Sequence, residues 1–267
     1  MFSRQIAPYI PEVSHKRIEK PRKSIYMSHI HNHAEILLFL SGDADYNIDG
    51  QIFRPSPYDL LFIPPATYHY LIPTSTVTYE NYVIGIEPSG MDEATEAKLF
   101  SSPLMIHVKE DAELMGFFTR LDVYCMQYSE ADFLKAAELL IRELMLYLCY
   151  RKETLSPKSN VGVAHIEEII GYIASHTEEA LDAEVIARAL HLSKSYVQNL
   201  FSGAMHIGLK KYIMQKKIYA AHADIERGMR PSEACEKYGF GDYSSFYRLY
   251  KKTFSAPPYR ERGRSRS

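Results

Sequence analysis

The spacing of apolar and polar residues changes twice along this chain, and the changes mark off its elements. Residues 35–40 form an apolar run that stops at Ser41-Gly42, and residues 60–63 form another that stops at Pro64-Pro65. Each is short enough for a buried strand. Residues 46–48 and 51–53 flank Asp49-Gly50, a pair that accepts the positive φ angles of a tight hairpin turn. Val77, Tyr79, Asn81 and Val83 alternate with Thr78, Glu80, Tyr82 and Ile84 in period two. Short strands with Pro and Gly punctuation, from about residue 24 to 86, predict a barrel or sandwich.

The period then becomes helical. Leu114, Phe117, Phe118 and Leu121 make one stripe, and Phe133, Leu134, Ala137, Leu140, Ile141, Leu144 and Leu148 make a second. Leu139, Leu146 and Tyr147 widen the second stripe beyond one face. One side of that helix should pack on the strands. The other either meets a partner chain or is buried within the same subunit, and the pattern leaves both open. Residues 151–160 are polar and contain Pro157, as an interdomain linker would. Helical spacing resumes with Ile166, Ile169, Ile170 and Ile173.

Beyond that point the chain carries one pattern twice. Residues 183–201 read AEVIARALHLSKSYVQNLF and residues 232–250 read SEACEKYGFGDYSSFYRLY. Ala187 matches Cys235, Leu192 matches Phe240, Ser195 matches Ser244, Leu200 matches Leu249 and Phe201 matches Tyr250, with Gly241 inserted in the second copy. Each copy predicts a supporting helix, a turn and a second helix, the arrangement that sets a helix into a DNA major groove. In the first, Val185, Ile186 and Ala189 should face inward. His191 stands where a left-handed backbone is wanted, and Ser193 caps the next helix. In the second, Gly239 and Asp242 take those roles.

With Val197, Leu200 and Phe201 pointing inward, Lys194, Ser195, Tyr196, Gln198 and Asn199 are left facing out. With Phe246, Leu249 and Tyr250 inward, the outward set is Tyr243, Ser244, Ser245, Tyr247, Arg248 and Lys251. Gln, Asn and Arg can make paired hydrogen bonds to base edges, whereas Ser, Tyr and Lys more often hold phosphates.

Charge supports the division. The chain carries a net −2, but residues 161–267 sum to +4 and residues 1–160 to −6. A basic half suits phosphate contact, although the excess is small. Cys125, Cys149 and Cys235 are widely spaced, with no Cys-x-x-Cys pair, so neither a disulfide nor a zinc finger is expected. An apolar run of membrane-spanning length and the apolar core of a signal peptide are both lacking, so a cytoplasmic protein is expected. No Ser/His/Asp or Cys/His arrangement and no Gly-rich phosphate loop stands out.

The C-terminal half resembles the AraC/XylS family of bacterial transcription regulators. The family's second motif, Ile-Ala-x-x-x-Gly-Phe-x-Asp-x-Ser-x-Phe, is met by residues 234–246, with Gly239, Phe240, Asp242, Ser244 and Phe246 in register and Cys235 in place of the Ala. Pro258 and Arg262 match the family's trailing Pro and Arg. His206 and Ser255 stand where Gly is usual after each recognition helix, which bears on the local turns, and Lys217 replaces an Arg, which bears on one phosphate contact. The resemblance covers roughly residues 163–262. It implies two helix-turn-helix subdomains joined by a long helix at about 209–227. It also implies a homodimer formed through residues 110–150, contact with RNA polymerase and, more often than not, activation.

His29-Ile30-His31-Asn32-His33-Ala34-Glu35 followed by Gly42 resembles the first cupin motif, and Pro64 with His69 resembles the second. Lys23, Ala66 and Pro73 depart from it. Together the resemblances imply an α+β chain: a cupin-like barrel with dimerisation helices over residues 1–152, a linker over 153–162, and an all-α DNA-binding domain over 163–267. His29, His31, Glu35 and His69, with Tyr46 and Tyr82, are the candidate effector contacts. Tyr68, Tyr70 and Tyr79 also lie in the barrel segment, and abundant tyrosine suits a sugar or similar polar molecule. The same three histidines and Glu35 could instead hold a divalent metal, or satisfy one another structurally. A straight strand over residues 29–35 would separate its ends by roughly 20 Å, so a shared site needs a bend at residues 32–34. No cofactor is otherwise expected. The alternatives to an effector-controlled regulator are a metal-dependent cupin enzyme, an isomerase or dioxygenase, and a constitutive DNA-binding protein with an empty barrel.

Overall fold

The computed structural model describes residues 1–22, 26–151, 161–162 and 164–258. The chain divides into two compact units, residues 1–162 and 163–267. Of the stretch expected as a linker, residues 152–160 lie outside the described residues, while Val161–Gly162 pair as a short strand with Gln51 and Ile52.

The N-terminal unit is built on two antiparallel sheets. The first runs β1 (Phe2–Arg4), β2 (Glu12–Ile18), β9 (Tyr79–Ile86), β4 (Ala34–Ser41), β7 (Asp59–Ile63) and β10 (Leu104–His107). The second runs β11 (Val161–Gly162), β6 (Gln51–Phe53), β5 (Ala44–Ile48), β8 (His69–Pro73) and β3 (Tyr26–His29). The hairpin expected at Asp49-Gly50 forms with both residues at positive φ, 43° and 81°.

Alternation in the first sheet separates two cores. Ile36, Leu38, Leu60, Phe62, Tyr82, Ile84 and Ile86 face the helical layer, while Leu37, Phe39, Leu61, Ile63, Tyr79 and Val83 face the barrel interior beside Tyr46 and Ile48. Period two along a strand requires this division once both faces are covered. The helical layer comprises α1 (Glu93–Phe100), α2 (Ala112–Gln127) and α3 (Glu130–Arg151). Phe133, Ala137, Leu140, Ile141, Leu144 and Leu148 bury the inner face of α3, while Leu139, Leu146 and Tyr150 stand more than two-thirds exposed. Tyr147 belongs to neither set, since it is half-buried and its hydroxyl donates to Asp111.

The C-terminal unit is all helical: α4 (Ala164–Ser175), α5 (Ala183–Ala189), α6 (Lys194–Met205), α7 (Leu209–Glu226), α8 (Pro231–Lys237) and α9 (Tyr243–Phe254). The inward side of α5 is Ala183, Ile186 and Ala187, with Val185 half-buried and Ala189 exposed. Ala187 is thus buried in place of the expected Ala189, one turn on from Ala183. The two copies share their turn hydrogen bonds. Leu192 N–H donates to Ala187 O at 2.8 Å, and Phe240 N–H donates to Cys235 O at 3.0 Å. These are the long return bonds of a helix end with a left-handed residue, here His191 at φ 56° and Gly239 at φ 65°. Ser193 and Asp242 each accept from the amide three residues on, as expected of caps.

His206 and Ser255 end α6 and α9 in the same left-handed conformation, with φ 53° and 56°. The turns are thus kept without glycine, at a cost of roughly 1–2 kcal/mol for each such residue. Glycine gives back part of that through its freedom in the unfolded chain. Ser255→Gly is therefore expected to stabilise the unit by about 0.5–1 kcal/mol, read as a higher thermal midpoint. A lower midpoint would contradict the strain.

Candidate DNA-reading surface and sensor cluster

Val197 and Phe201 on α6, and Phe246 and Tyr250 on α9, are buried, which fixes the opposite faces outward. Leu200 and Leu249, expected inside, are only half-buried at the edge of those faces. Lys194, Ser195, Gln198 and Asn199 on the first helix are exposed, as are Ser244, Ser245, Arg248 and Lys251 on the second. Tyr196 and Tyr243 are each 42% exposed, whereas Tyr247 is half-buried.

Tyr196 and Arg248 are steadied by hydrogen bonds. The Tyr196 hydroxyl lies 2.9 Å from Nδ1 of His165 on α4, and Arg248 Nη2 donates to Ser245 Oγ at 3.2 Å. An arginine steadied one turn back along its own helix loses less freedom when it meets a base or phosphate. Lys194 Nζ stands 3.6 Å from Glu184 in the open, a pair that counterions would easily loosen. Lys217 is not part of the surface. It is 5% exposed and donates to Glu179 O and Tyr238 O, so it cannot make the phosphate contact its position suggested.

In the N-terminal unit the expected bend is present, with β3 ending at His29 and β4 starting at Ala34. His29 faces His69 across the β3–β8 pairing. His31 sits in the bend, and Glu35 opens β4 on the strand face that carries Leu37 and Phe39. One potential ligand atom from each of His29, His31, Glu35 and His69 falls within 4.8 Å of all the others. Glu35 and His69 are buried, while His29 and His31 are half-buried.

Outer contacts orient the rings. His31 Nδ1 lies 2.8 Å from His33 O, and His69 Nδ1 lies 2.9 Å from Thr67 O. A carbonyl can only accept, so both Nδ1 atoms carry a proton, and both Nε2 atoms are turned toward the carboxylate. His31 Nε2 is 2.9 Å from Glu35 Oε1 and His69 Nε2 is 3.5 Å from Oε2, yet neither has the alignment of a hydrogen bond, and both are buried. His33 stacks flat on His31 at 3.6 Å, and its own buried Nε2 is in the same condition.

Burial alone would raise the Glu35 pKa, but His31, His33 and His69 outweigh it and hold the carboxyl well below the usual range. Burial lowers His31, whereas for His69 the pull of Glu35 overcomes burial and raises it.

Tyr46 joins this interior. Its hydroxyl meets that of Tyr79, and burial pushes both phenols up. Tyr82 does not join it. As an even position of β9 it faces the helices, stacks on His15 at 4.0 Å and donates to Asp122. The period-two pattern places Tyr79 and Tyr82 on opposite faces, a signal in the sequence that separates Tyr82 from the effector set.

Two like recognition helices behind like turns on one compact body define a sequence-reading DNA-binding protein. Residues 186–264 match a helix-turn-helix domain model, and residues 17–144 match the AraC-like ligand-binding domain. The chain belongs to the AraC family of transcriptional regulators, with an N-terminal ligand-binding domain. It is 24% identical over 235 residues to the HTH-type transcriptional regulator YobQ of Bacillus subtilis, covering 88% of each chain. It is 28% identical over 100 residues to the regulatory protein SoxS of Escherichia coli, covering 36% of this chain and 94% of SoxS. The solved structure of ToxT from Vibrio cholerae aligns over 92% of this chain and 95% of its own at 12% identity, with a TM-score of 0.40. Members of the family regulate transcription and are not enzymes, which removes the isomerase and dioxygenase alternatives. Among the described residues no helix is long and apolar enough to cross a membrane.

Proposed function

We propose that this regulator is an effector-controlled activator acting as a homodimer in the cytoplasm. In this reading α6 and α9 enter neighbouring major grooves, and a small polar molecule, a sugar by preference, binds in the N-terminal unit. The observation that carries it is the pairing itself: two buried aromatic anchors, two left-handed turns and two caps, each presenting an exposed polar helix face. Gln198, Asn199 and Arg248 are assigned to base edges. Lys194, Ser195, Tyr196, Tyr243, Ser244, Ser245, Tyr247 and Lys251 are assigned to positioning on phosphates. The exposed Leu139, Leu146 and Tyr150 on α3 support dimerisation through that helix, and activation would bring the dimer against RNA polymerase.

The effector is assigned to His29, His31, Glu35, His69 and Tyr46, where imidazoles, a carboxylate and a phenol share an otherwise apolar interior. Its control over DNA binding requires unequal affinity for the DNA-competent and DNA-incompetent arrangements. A second reading has its own support. The buried Nε2 atoms of His31 and His69 converge on Glu35 without hydrogen bonds, and their Nδ1 atoms sit on carbonyls as those of metal-binding histidines do. A divalent ion such as Zn, Fe, Mn or Ni would fit His29, His31, Glu35 and His69, supplying a positive centre for an anionic or hydroxylated effector.

Capture of genomic fragments by the purified full chain, followed by titration of an enriched fragment, tests the DNA reading. Arg248→Ala is expected to weaken binding by about 1–3 kcal/mol at fixed salt and to relax the preference at one base pair. An unchanged titration would remove Arg248 from base contact. Thermal-shift screening against sugars and organic acids tests the effector, because a molecule that binds the folded unit raises its midpoint.

A further inference from the structure

The C-terminal unit contains a buried cation that the DNA surface does not use. Lys217 projects from the middle of α7 and is 5% exposed. Its Nζ donates at 2.6 Å to the carbonyl of Glu179, in the loop that leads into α5, and at 2.9 Å to the carbonyl of Tyr238, where α8 ends. A Cβ added to Gly239 would lie 3.7 Å from that Nζ, so the ammonium sits against the left-handed residue of the second turn. One amino group thus touches the loop feeding the first helix-turn-helix and the turn of the second.

A neighbouring lysine ties the same two places. Lys237 Nζ lies 3.2 Å from Glu178, in the first copy's loop, and 2.8 Å from Asp224 near the end of α7. Tyr238 donates its hydroxyl to the same Asp224 oxygen at 2.7 Å. Asp224 is held below the usual carboxylate range, since these contacts outweigh its burial.

Burying an ammonium is costly unless it is well bonded, and an aliphatic side chain would fill the space at lower cost. Such a residue is explained if the geometry it imposes is needed. Two helices reading neighbouring grooves must stand about 34 Å apart along the duplex axis in a fixed orientation. α7, the shared helix, packs against α4 and α6 on one side of the pair and against α8 and α9 on the other. Rotation of one copy about α7 would shift the reading heads, and the lysines cross that degree of freedom.

We propose that Lys217 and Lys237 form a clamp that fixes the separation and orientation of the two recognition helices, and so sets the spacing between the two half-sites the protein accepts. They are positioning residues and touch no DNA themselves. The proposal rests on the reading that α6 and α9 both contact the duplex, and the experiment keeps the two separable.

Purified full chain and its variants would each select duplexes from a random library. The wild type is expected to enrich two half-sites at one fixed spacing. Lys217→Met and Lys237→Met are expected to enrich the same half-sites with the spacing spread over neighbouring values. Simultaneous engagement depends on matched geometry, so on the wild-type duplex each variant should bind about tenfold more weakly, against less than about twofold on a duplex with one half-site. Lys217→Arg, which can still donate to both carbonyls, should restore the fixed spacing. A folded Lys217→Met or Lys237→Met that keeps one spacing and full affinity would overturn the clamp. If Lys217→Met fails to fold, Lys237→Met, altered at a side chain one-third exposed, decides the matter alone. Failure of the wild type to enrich any duplex would instead sink the DNA reading beneath it.

Discussion

Phe246→Ala is expected to cost the C-terminal unit about 3–5 kcal/mol. Phe246 is fully buried, with ring centroids of Phe240, Tyr250 and Tyr243 at 5.0, 5.7 and 5.9 Å. Through Phe240 it holds α9 against the turn before it. Removing the ring leaves a cavity lined by other aromatics, which are too rigid to collapse into it. Domains are commonly stable by only about 5–15 kcal/mol, so the loss approaches the whole margin of this unit. Urea unfolding followed by helical circular dichroism should show a weakened transition for the variant, and DNA binding should fall with it. Phe201→Ala, the corresponding fully buried anchor of α6, should behave alike. A cost below about 1 kcal/mol at either site would mean that the helix is held elsewhere.

The second large effect concerns the sensor cluster. On the metal reading, titration of the purified protein with Zn²⁺ should show one site per chain, and Glu35→Gln should weaken it about 100-fold or more, since loss of outer-shell partners alone costs 10–100-fold. The reason is local. Glu35 supplies the one negative charge among the four candidate ligands and lies within 3.5 Å of two buried Nε2 atoms. The amide keeps the volume and loses the charge. Equal Zn²⁺ affinity in variant and wild type, or none in either, would remove the metal and leave the cluster as a contact for an organic effector. In that case Glu35→Gln should abolish the thermal shift produced by the effector instead.

Much of this was legible in the residues. Helix-turn-helix signals are local: His191, Ser193, Gly239 and Asp242 each do in the structure what their own chemistry predicts, because caps and left-handed turns depend on a few neighbouring amides. The bend that gathers His29, His31 and Glu35 could be deduced from strand length alone, since a straight strand cannot bring its ends together. What sequence reading missed was tertiary. Lys217 looks like any lysine on a basic helix until the two carbonyls that trap it are seen, and they come from residues 38 and 21 positions away. Tyr82 sits on the helix-facing side of β9, and the alternation of that strand, a stronger signal than an abundance of tyrosine, already separates it from Tyr79. Ala189 and Ala187 differ by two places on a seven-residue helix, too short for periodicity to choose between them.

Hydroxyl-radical footprinting of the full chain on a duplex it has selected tests most directly whether both helix-turn-helix copies read DNA. Two protected patches on one face for each bound chain, centred about 10–10.5 base pairs apart, are expected, with protection of the α9 patch weakened in Arg248→Ala. A single patch unaffected by substitutions in either α6 or α9, or no preference over random duplex, would contradict the account.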